Sequence, residues 1–433
     1  MKFISLIQLS QKIGKKVKIR GWLHHVRRQG KLTFLVIRDP SGYVQAVVKP
    51  SIGEPSFNIA KKLTRETAVI AEGIVKEDER APYDGIELQV TAIEPVINFA
   101  SPELEFEIRP DSGPQVFLDK RHLVLRGEKS SDIMRFRDLT TRSFRKFFFD
   151  REFVEVTPST IVQTQVEGAS TLFSFKYFDQ DAYLTQSSQL YLETVLASLG
   201  NVFCILPSFR AEKSRTRRHL TEYTHIEAEM PWFDFEDLID FMEDMIIFVY
   251  SEVLTNPIAK KFDVTWDVPK KPFERVSYEQ AIDLLREYDI KGETGEYLEY
   301  GDEITEGPER TLVDRINKPA FLTHFPTGMK PFYMKINEDN PDIMNAADLL
   351  LPNVGEIIGG SQREDDLEVL LKRMKEEELD PTPYYWYLDQ RKYGTVPHSG
   401  FGLGLERFIQ AMLNLDHIRE ACLYPRLINR ATP

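Results

Sequence analysis

The chain has 433 residues, of which 42% are hydrophobic and 28% are charged. This length and composition are typical of a globular protein with two or three domains. No apolar run approaches the roughly 20 residues that span a bilayer, and the apolar stretch at the N-terminus is too short for a secretory signal. We therefore expect a cytoplasmic protein with no membrane partner. The two cysteines, Cys204 and Cys422, exclude a disulfide framework and a cysteine zinc site.

Charge is unevenly distributed along the chain. The formal net charge is -13, yet the first 50 residues contain 11 Lys and Arg side chains against one acid, Asp39. A basic module on an acidic chain indicates that this module binds a polyanion. A solvated basic surface without a partner is the alternative reading of the same charges.

Residues 15–97 are predicted to form five short strands, separated by turn signals such as DPSG (39–42) and PYDG (82–85). Five strands in about 80 residues are typical of a small closed barrel of the OB type, which commonly binds single-stranded nucleic acid. We predict an OB-fold domain over residues 1–97. A connector over 98–128 follows it and contains the proline- and acid-rich stretch 101–115.

Residues 129–433 are predicted to form the second domain. Its first helix is expected from about Ser130 to Phe148, with Ser130 or Ser131 as the cap. The apolar side of this helix is predicted to carry Ile133, Phe136, Phe144, Phe147 and Phe148. A second amphipathic helix is predicted over 235–253. The acidic, loop-rich segment 289–309 has no role that the sequence reveals.

The segment FRAEKSRTRRHL (209–220) places five Arg or Lys side chains and a histidine around one glutamate, between two strand-like runs. Because alternate side chains of a strand share a face, polar groups are expected to face together: Ser208, Arg210 and Glu212 on the first strand, and Tyr223, His225, Glu227 and Glu229 on the second. Arg clamps phosphate oxygens, an aromatic ring stacks on a base, and carboxylates hold an amine or Mg²⁺. The segment therefore predicts a nucleoside triphosphate site, with an exposed hairpin of surface ion pairs as the alternative.

Two later segments support a nucleotide site. VGEIIGGSQRED (354–365) places Glu356 and Arg363 around two adjacent glycines, where a ligand can approach the backbone. HSGFGLGLERFIQAML (398–413) passes from a glycine-rich strand into a helix with Arg407 near its start. The chain has neither a GxxxxGK[ST] phosphate loop nor a Rossmann glycine fingerprint.

These segments resemble the three motifs of class II aminoacyl-tRNA synthetases, subclass b. FVEVTP (153–158) at the end of the first helix resembles motif 1, the segment around FRAE (209–212) resembles motif 2, and GFGLGLER (400–407) resembles motif 3. An OB barrel before such a domain resembles the archaeal-type aspartyl and asparaginyl group. The resemblance covers essentially the whole chain. It implies an α+β multidomain protein: a five-stranded OB barrel, then a homodimeric catalytic domain with a six- to seven-stranded antiparallel sheet flanked by helices.

The resemblance also implies roles in binding ATP and Mg²⁺. Arg210, Arg407 and Glu356 would be the catalytic residues, with Arg210 on the α-phosphate, Arg407 on the γ-phosphate and Glu356 on the metal. Gly359 occupies the second metal position, where relatives often carry Ser. The residues expected to bind ATP are Arg210, Glu212, Arg218, His219, Leu220, Tyr223, Glu356, Gly404, Leu405, Glu406 and Arg407.

The substrate follows from two positions that differ from the aspartyl enzymes, which carry QSPQxYK and an aspartate where this chain has Leu192 and Glu227. Losing the lysine leaves a substrate carboxylate undercompensated, whereas a neutral amide needs no cation. Glu227 can accept from that amide while Arg363 donates to it, so asparagine is the expected amino acid. The residues expected to bind it are Glu167, Ser187, Gln189, Leu192, Arg210, Glu227, Glu229 and Arg363.

The basic barrel is then expected to read the anticodon of tRNA(Asn). Phe34 would stack on an unpaired base and Gln45 would hydrogen-bond a base edge, while Arg27, Arg28 and Arg38 meet phosphates. An inward-facing, structural Phe34 is the alternative. For the whole chain the alternatives are an aspartyl enzyme, possibly charging both tRNA(Asp) and tRNA(Asn), an amidating paralogue that acts on a free amino acid, and a non-catalytic tRNA-binding paralogue.

Overall fold

The computed structural model describes residues 2–102, 108, 112–166, 168, 171–213, 216–262, 264 and 266–433. The chain folds into two compact units, Met1–Lys120 and Arg121–Pro433. Within these described ranges, no helix has both the length and the apolar character needed to cross a membrane. The predicted limits 1–97, 98–128 and 129–433 stay a prediction.

The first unit is built around a closed five-stranded barrel, which confirms the predicted OB fold. Its elements are β1 (Lys16–Gln29), β2 (Leu32–Asp39), β3 (Gly42–Val48), α1 (Glu54–Lys62), β4 (Ala68–Glu77), β5 (Ile86–Pro95) and α2 (Pro114–Asp119). The strands follow each other around the barrel in the order β1-β2-β3-β5-β4. Alternate side chains point inward, and Ile19, Leu35 and Leu88 are fully buried there.

The second unit begins with α3 (Arg121–Val124) and α4 (Glu128–Phe149). Its first half continues with β6 (Val154–Glu155), β7 (Ile161–Val162), β8 (Phe173–Tyr177), β9 (Gln180–Leu184), α5 (Gln189–Thr194), α6 (Leu196–Leu199), β10 (Val202–Phe209), β11 (Glu222–Pro231) and α7 (Phe235–Leu254). Its second half contains β12 (Glu274–Ser277), α8 (Tyr278–Glu287), α9 (Glu306–Ile316), β13 (Ala320–Thr323), β14 (Ala346–Leu351), β15 (Gly355–Gln362), α10 (Leu367–Glu376), α11 (Tyr385–Lys392), β16 (His398–Gly404) and α12 (Leu405–Leu413).

An eight-stranded sheet organises this unit, in the order β12-β13-β14-β15-β16-β11-β10-β6. The six strands from β13 to β10 pair antiparallel, as predicted, but the two outer pairs, β12 with β13 and β10 with β6, are parallel. A parallel pair needs a long crossover connection. Helices α8 and α9 supply that connection between β12 and β13. The sheet is therefore mixed rather than purely antiparallel.

Helices α4 and α7 pack against this sheet and against each other. The predicted stripe on α4 is buried, with Phe136, Phe144 and Phe147 fully inaccessible. The helix begins at Glu128 after Gly127, earlier than predicted, so the expected serine caps lie inside its first turn. Helix α7 begins as predicted, where the Asp234 side chain accepts a hydrogen bond from the Asp237 N–H at 2.9 Å.

Candidate active site

The middle of the eight-stranded sheet forms the floor of a cavity of about 760 Å³, which we call the central cavity. This floor is formed by three neighbouring strands, β11, β16 and β15. The predicted residues that line the cavity are Ser187, Gln189, Arg210, Arg218, His219, Leu220, Tyr223, Glu227, Glu356, Gly359, Arg363, Gly404, Glu406 and Arg407. Four separate segments of the sequence, 187–189, 210–227, 356–363 and 404–407, thus meet at one site.

The alternation predicted for β11 explains its part in the floor. Tyr223, His225 and Glu227 line the central cavity, whereas Ile226 and Ala228 lie on the opposite face in the main hydrophobic core. Glycines on β16 leave room for these polar side chains. A Cβ at Gly400 would collide with the Glu229 carboxylate, and one at Gly402 would collide with the His225 ring.

Four cationic or imidazole side chains gather at one end of the central cavity. The Arg210 guanidinium lies 5.6 Å from the centre of the Tyr223 ring, and Arg407 Nη1 lies 2.9 Å from Glu356 Oε2. Burial, together with Arg407, Arg218 and Arg210, lowers the pKa of His219 to about 4. His219 is therefore neutral at pH 7, and the arginines supply the positive charge that would attract a polyphosphate.

Two carboxylates face each other beside this cluster, at the predicted metal position. A Cβ placed on Gly359 would lie 3.3 Å from Glu356 Oε1 and 3.6 Å from Asp348 Oδ1, so both acids converge on the space that Gly359 leaves open. Burial would raise the pKa of Glu356, but Arg407, Arg218 and Lys330 hold it at about 2. Carboxylate oxygens are the protein ligands that Mg²⁺ prefers, so this pair fits the ion.

Asp348 was not predicted as a site residue. Its only sequence signal is a single acid inside the apolar run AADLLL (346–351). It is an informative signal, because an unpaired charge within a buried strand is costly. In the structure Lys330 Nζ lies 2.7 Å from Asp348 Oδ2. Burial raises the pKa of Asp348 to about 6, with the nearby Glu356 acting in the same direction and Lys330 against it.

The other end of the central cavity carries the predicted amino-acid-binding groups. Glu227 accepts a hydrogen bond from Ser187 Oγ and from the Ser188 N–H at 2.9 Å. Arg363 Nε and Nη2 donate to the Glu229 carboxylate at 3.1 and 2.5 Å. Each carboxylate at this end is thus held by donors from a second element.

Gln189 is oriented from behind by a buried acid. Its Nε2 donates to Glu193 Oε1 at 3.0 Å, and Glu193 Oε2 accepts from Arg391 Nη2 at 2.6 Å. Arg391 and His398 together overcome the effect of burial and lower the pKa of Glu193. An ionised carboxylate is an acceptor only, so the amide nitrogen of Gln189 is committed to Glu193 and its oxygen remains an acceptor for a ligand.

Four of the predicted site residues are not among those that line the central cavity, and two of them lie in hydrophobic cores. Leu192 does not line the central cavity: it is fully buried and packs with Leu196, Val202 and Cys204. The first turn of α5 places it on the side opposite the cavity. Leu405 is likewise fully buried in the main core.

Glu212 and Glu229 are not among the residues that line the central cavity, but each pairs with residues that do. Glu212 lies 3.8 Å from Arg210 Nη1 and 3.7 Å from His219 Nε2, and Glu229 pairs with Arg363. Glu167 lies outside the described residues.

The residues predicted to contact the anticodon lie on the strands of the barrel. On β2 the residues Thr33, Leu35 and Ile37 are buried, whereas Phe34 lies on the other face and is half-buried. Phe34 is therefore not an inward-facing core residue. The Arg27 guanidinium lies 4.9 Å from the centre of its ring. Gln45, also half-buried, donates from Nε2 to Glu87 Oε2 at 3.2 Å.

Two of the predicted phosphate-binding arginines are engaged within the barrel. Arg38 forms a forked pair with Glu66, at 2.6 and 2.7 Å, and its side chain is 13% exposed. Arg28 Nη2 donates to the Leu63 carbonyl at 2.6 Å. The Arg38 guanidinium is largely buried and its fork with Glu66 supplies the acceptors that such a group requires, whereas Arg28 lies in an exposed position. The prediction that Arg38 meets phosphate does not fit this arrangement.

Comparison with known proteins identifies both units. Residues 17–96 match the OB-fold nucleic acid binding domain, and residues 113–428 match the tRNA synthetases class II (D, K and N). The chain is 48% identical to the cytoplasmic asparagine–tRNA ligase of Mus musculus over 97% of this chain and 76% of that protein. It is 45% identical to the asparagine–tRNA ligase of Pyrococcus horikoshii, over 97% of this chain and 96% of that protein.

Solved structures agree with these relationships. The asparaginyl-tRNA synthetase of Pyrococcus horikoshii, complexed with asparaginyl-adenylate, superposes with a TM-score of 0.93 at 43% identity and covers 100% of both chains. A putative aspartyl-tRNA synthetase from Leishmania major superposes with a TM-score of 0.84 at 27% identity, over 100% of this chain and 95% of that one. The chain belongs to the class II tRNA synthetases of the D, K and N group.

Proposed function

We propose that this protein activates L-asparagine with ATP to form asparaginyl-adenylate and then transfers the asparaginyl group to the 3'-end of tRNA(Asn). Relatives named asparagine–tRNA ligase, which match 97% of this chain at 45–48% identity, support this function. The relatives of Mus musculus and Homo sapiens are named cytoplasmic, which supports the same location for this chain.

The observation that carries the choice of asparagine is the charge balance at the amino-acid end of the central cavity. Arg363 is neutralised by its fork with Glu229. Glu227 faces the cavity as a carboxylate held by Ser187 and Ser188. A substrate carboxylate here would meet the like charge of Glu227, whereas an amide NH₂ can donate to Glu227. Leu192 packs with Cys204, which lies beside Glu227, and it brings no charge to this end of the cavity.

Positioning and charge stabilisation account for the first step. The asparagine carboxylate is already a nucleophile, so its attack on the α-phosphorus needs no general base. Arg210 would bind the α-phosphate and the carboxylate, while Arg218 and Arg407 hold the outer phosphates. Tyr223 would stack on adenine, and Gln189 would accept from the substrate ammonium. Bound between Asp348 and Glu356, Mg²⁺ would neutralise phosphate charge.

The second step needs the tRNA acceptor end in the central cavity and the anticodon on the barrel. Phe34 would stack on an anticodon base and Gln45 would bond a base edge. Arg27, which lies over the Phe34 ring, is the arginine best placed to meet a phosphate or stack on that base. This barrel surface is not needed for adenylate formation.

We also propose a homodimer. The strand β6 lies at one edge of the eight-stranded sheet, and three large apolar side chains on it or close to it in the chain are exposed: Phe149, Val154 and Ile161. Such a patch on an unpaired strand edge favours a second copy of the chain. Sedimentation of the purified protein tests this: a monomer at micromolar concentration would exclude the dimer, and Val154→Glu should weaken it.

Pyrophosphate exchange tests the choice of amino acid. Asparagine should stimulate exchange at least a hundredfold more than aspartate at equal concentration, since the pocket discriminates by hydrogen bonding. Equal stimulation by both would instead support an aspartyl enzyme. Aminoacylation of total tRNA with labelled asparagine tests the second step, and its absence alongside active exchange would refute the tRNA part alone.

A further inference from the structure

Helix α9 places a buried carboxylate behind the end of the central cavity where Arg210, Arg218, His219 and Arg407 gather. Glu309 is only 6% exposed. Its Oε1 accepts from Arg218 Nη1 at 2.6 Å and from the backbone N–H of Glu356 at 2.7 Å. One oxygen therefore joins an arginine of the β10–β11 connection to the start of β15. Glu309 lies in the segment 289–309, whose role the sequence did not reveal.

A glycine makes this contact possible. Gly355, directly before Glu356, has φ +85°, a conformation that favours glycine. A Cβ there would collide with Glu309 Oε1 and would lie 2.7 Å from Arg218 Nη1. Because Gly355 has no side chain, the Glu309–Arg218 pair can pack directly against the turn between β14 and β15.

The pair restrains Arg218 without using all of its hydrogen-bond donors. Arg218 Nη1 also donates to the Val354 carbonyl at 3.3 Å, whereas its Nε has no hydrogen-bond partner among the described residues. Burial disfavours the Arg218 cation, but the Glu309 and Glu356 carboxylates raise its pKa overall. An arginine side chain has many rotamers when it is free, so holding it in place before ATP arrives lowers the entropy lost on binding.

We propose that Glu309 is a positioning residue for ATP: it holds Arg218 and the backbone of the metal-side residue Glu356 in the geometry that the triphosphate requires. Glu309 is not among the residues that line the central cavity, and it acts through Arg218. The inference rests on the proposed function, since it assumes that Arg218 binds the outer phosphates.

Steady-state pyrophosphate exchange on the full-length protein tests the proposal with Glu309→Gln. The amide keeps an oxygen that can accept from Arg218 and Glu356 but loses the negative charge. A charge-assisted bond is about twice as strong as a neutral one, so we expect the KM for ATP to rise roughly tenfold. The KM for asparagine should stay within about twofold of the wild type, because no contact at that end changes.

Asp314→Asn is the matched control. Asp314 lies on the same helix, and its Oδ1 accepts from the backbone N–H of Asn353 at 2.6 Å. It thus ties α9 to the same turn without contacting Arg218. If Glu309 only anchored the helix, the two variants would change both KM values alike. That result, or an unchanged KM for ATP in Glu309→Gln, would overturn the proposal.

A double-mutant cycle tests whether the effect passes through Arg218. Glu309→Gln should add little to the loss already caused by Arg218→Ala, and full additivity would contradict the proposal. If circular dichroism shows that Glu309→Gln does not fold, Gly355→Ala displaces the same pair from the opposite side. It should give the same selective rise in the KM for ATP, and a KM for ATP equal to that of the wild type would refute the inference. A wild-type protein without asparagine-dependent exchange would instead refute the proposed function.

Discussion

Arg363 and Glu229 form a forked ion pair at the amino-acid end of the central cavity, with Arg363 Nε and Nη2 lying 3.1 and 2.5 Å from the Glu229 oxygens. The two residues are 134 positions apart in the chain. Between their strands runs β16, where Gly400 leaves the space that the Glu229 carboxylate occupies. The pair fixes which donors of Arg363 remain available to a substrate.

Replacing Arg363 with Lys should separate the geometry of this fork from its charge. A lysine keeps the cation but cannot form two parallel hydrogen bonds with Glu229. We expect the KM for asparagine to rise about 10- to 100-fold, the equivalent of about 1–3 kcal/mol. Arg80→Lys, which breaks an exposed forked pair with Asp78 at 2.9 and 2.8 Å, should leave that KM unchanged. Equal effects would remove Arg363 from substrate recognition.

Replacing Arg210 with Ala should abolish adenylate formation. Removing one preorganised donor to a developing charge costs about 10²- to 10³-fold in rate, and Arg210 is expected to contact both reacting groups. Pyrophosphate exchange measures this loss. Filter binding should show nearly unchanged affinity for tRNA, because the anticodon surface lies on the barrel. An active variant would refute the role of Arg210.

Activity should show no titration of His219 between pH 5.5 and 8. Burial, Arg407 and Arg218 lower its pKa from 6.5 to about 4 in the folded protein. Its contribution to stability is therefore present above pH 6.5 and is lost as the pH falls from 6.5 towards 4. The kcat/KM for ATP, which reports groups of the free enzyme, should have the same pH profile in the wild type and in His219→Ala. A change in kcat/KM for ATP near pH 6.5 that is present in the wild type and absent from His219→Ala would contradict this expectation.

Leu192→Lys should destabilise the fold and depress asparagine activation. Leu192 is fully buried beside Cys204, whose Sγ lies 3.8 Å from Glu227 Oε2. A buried ammonium is costly unless it pairs, and Glu227, which lies beside Cys204, is the group proposed to bind the amide. We expect a loss of about 2–5 kcal/mol in the free energy of unfolding, measured by urea denaturation. Unchanged asparagine activation would remove Leu192 from the choice of substrate.

Phe34→Ala should weaken tRNA recognition alone. Stacking of a base on an aromatic ring contributes about 1–3 kcal/mol, so the KM for tRNA should rise about 5- to 100-fold. Val36→Ala, at a neighbouring half-buried position on β2, is the matched control. Pyrophosphate exchange without tRNA should be the same in both variants. A wild-type KM for tRNA in Phe34→Ala would indicate that another residue stacks the base.

Local patterns in the sequence determined the family, the barrel and the strands that carry the site. Alternation on β11 placed Tyr223 and Glu227 on the cavity side because side chains of a strand point to opposite faces whatever the tertiary context. The same rule on β2 placed Phe34 and Gln45 away from the interior of the barrel. The cluster of Arg residues around motif 2 predicted a phosphate site because so many like charges within one short loop need an anion.

Only the tertiary structure decided which further acids lie in the central cavity or directly behind it. Asp348, Glu309 and Glu193 come from three separate segments, and each is brought to the cavity by strand order or helix packing that no local pattern specifies. Leu192 shows the converse. Its position in the family motif indicated a cavity wall, yet the rotation of a short helix turned it into the core. The periodicity of a sequence predicts which residues share one face of a helix or strand. What that face packs against depends on the whole fold.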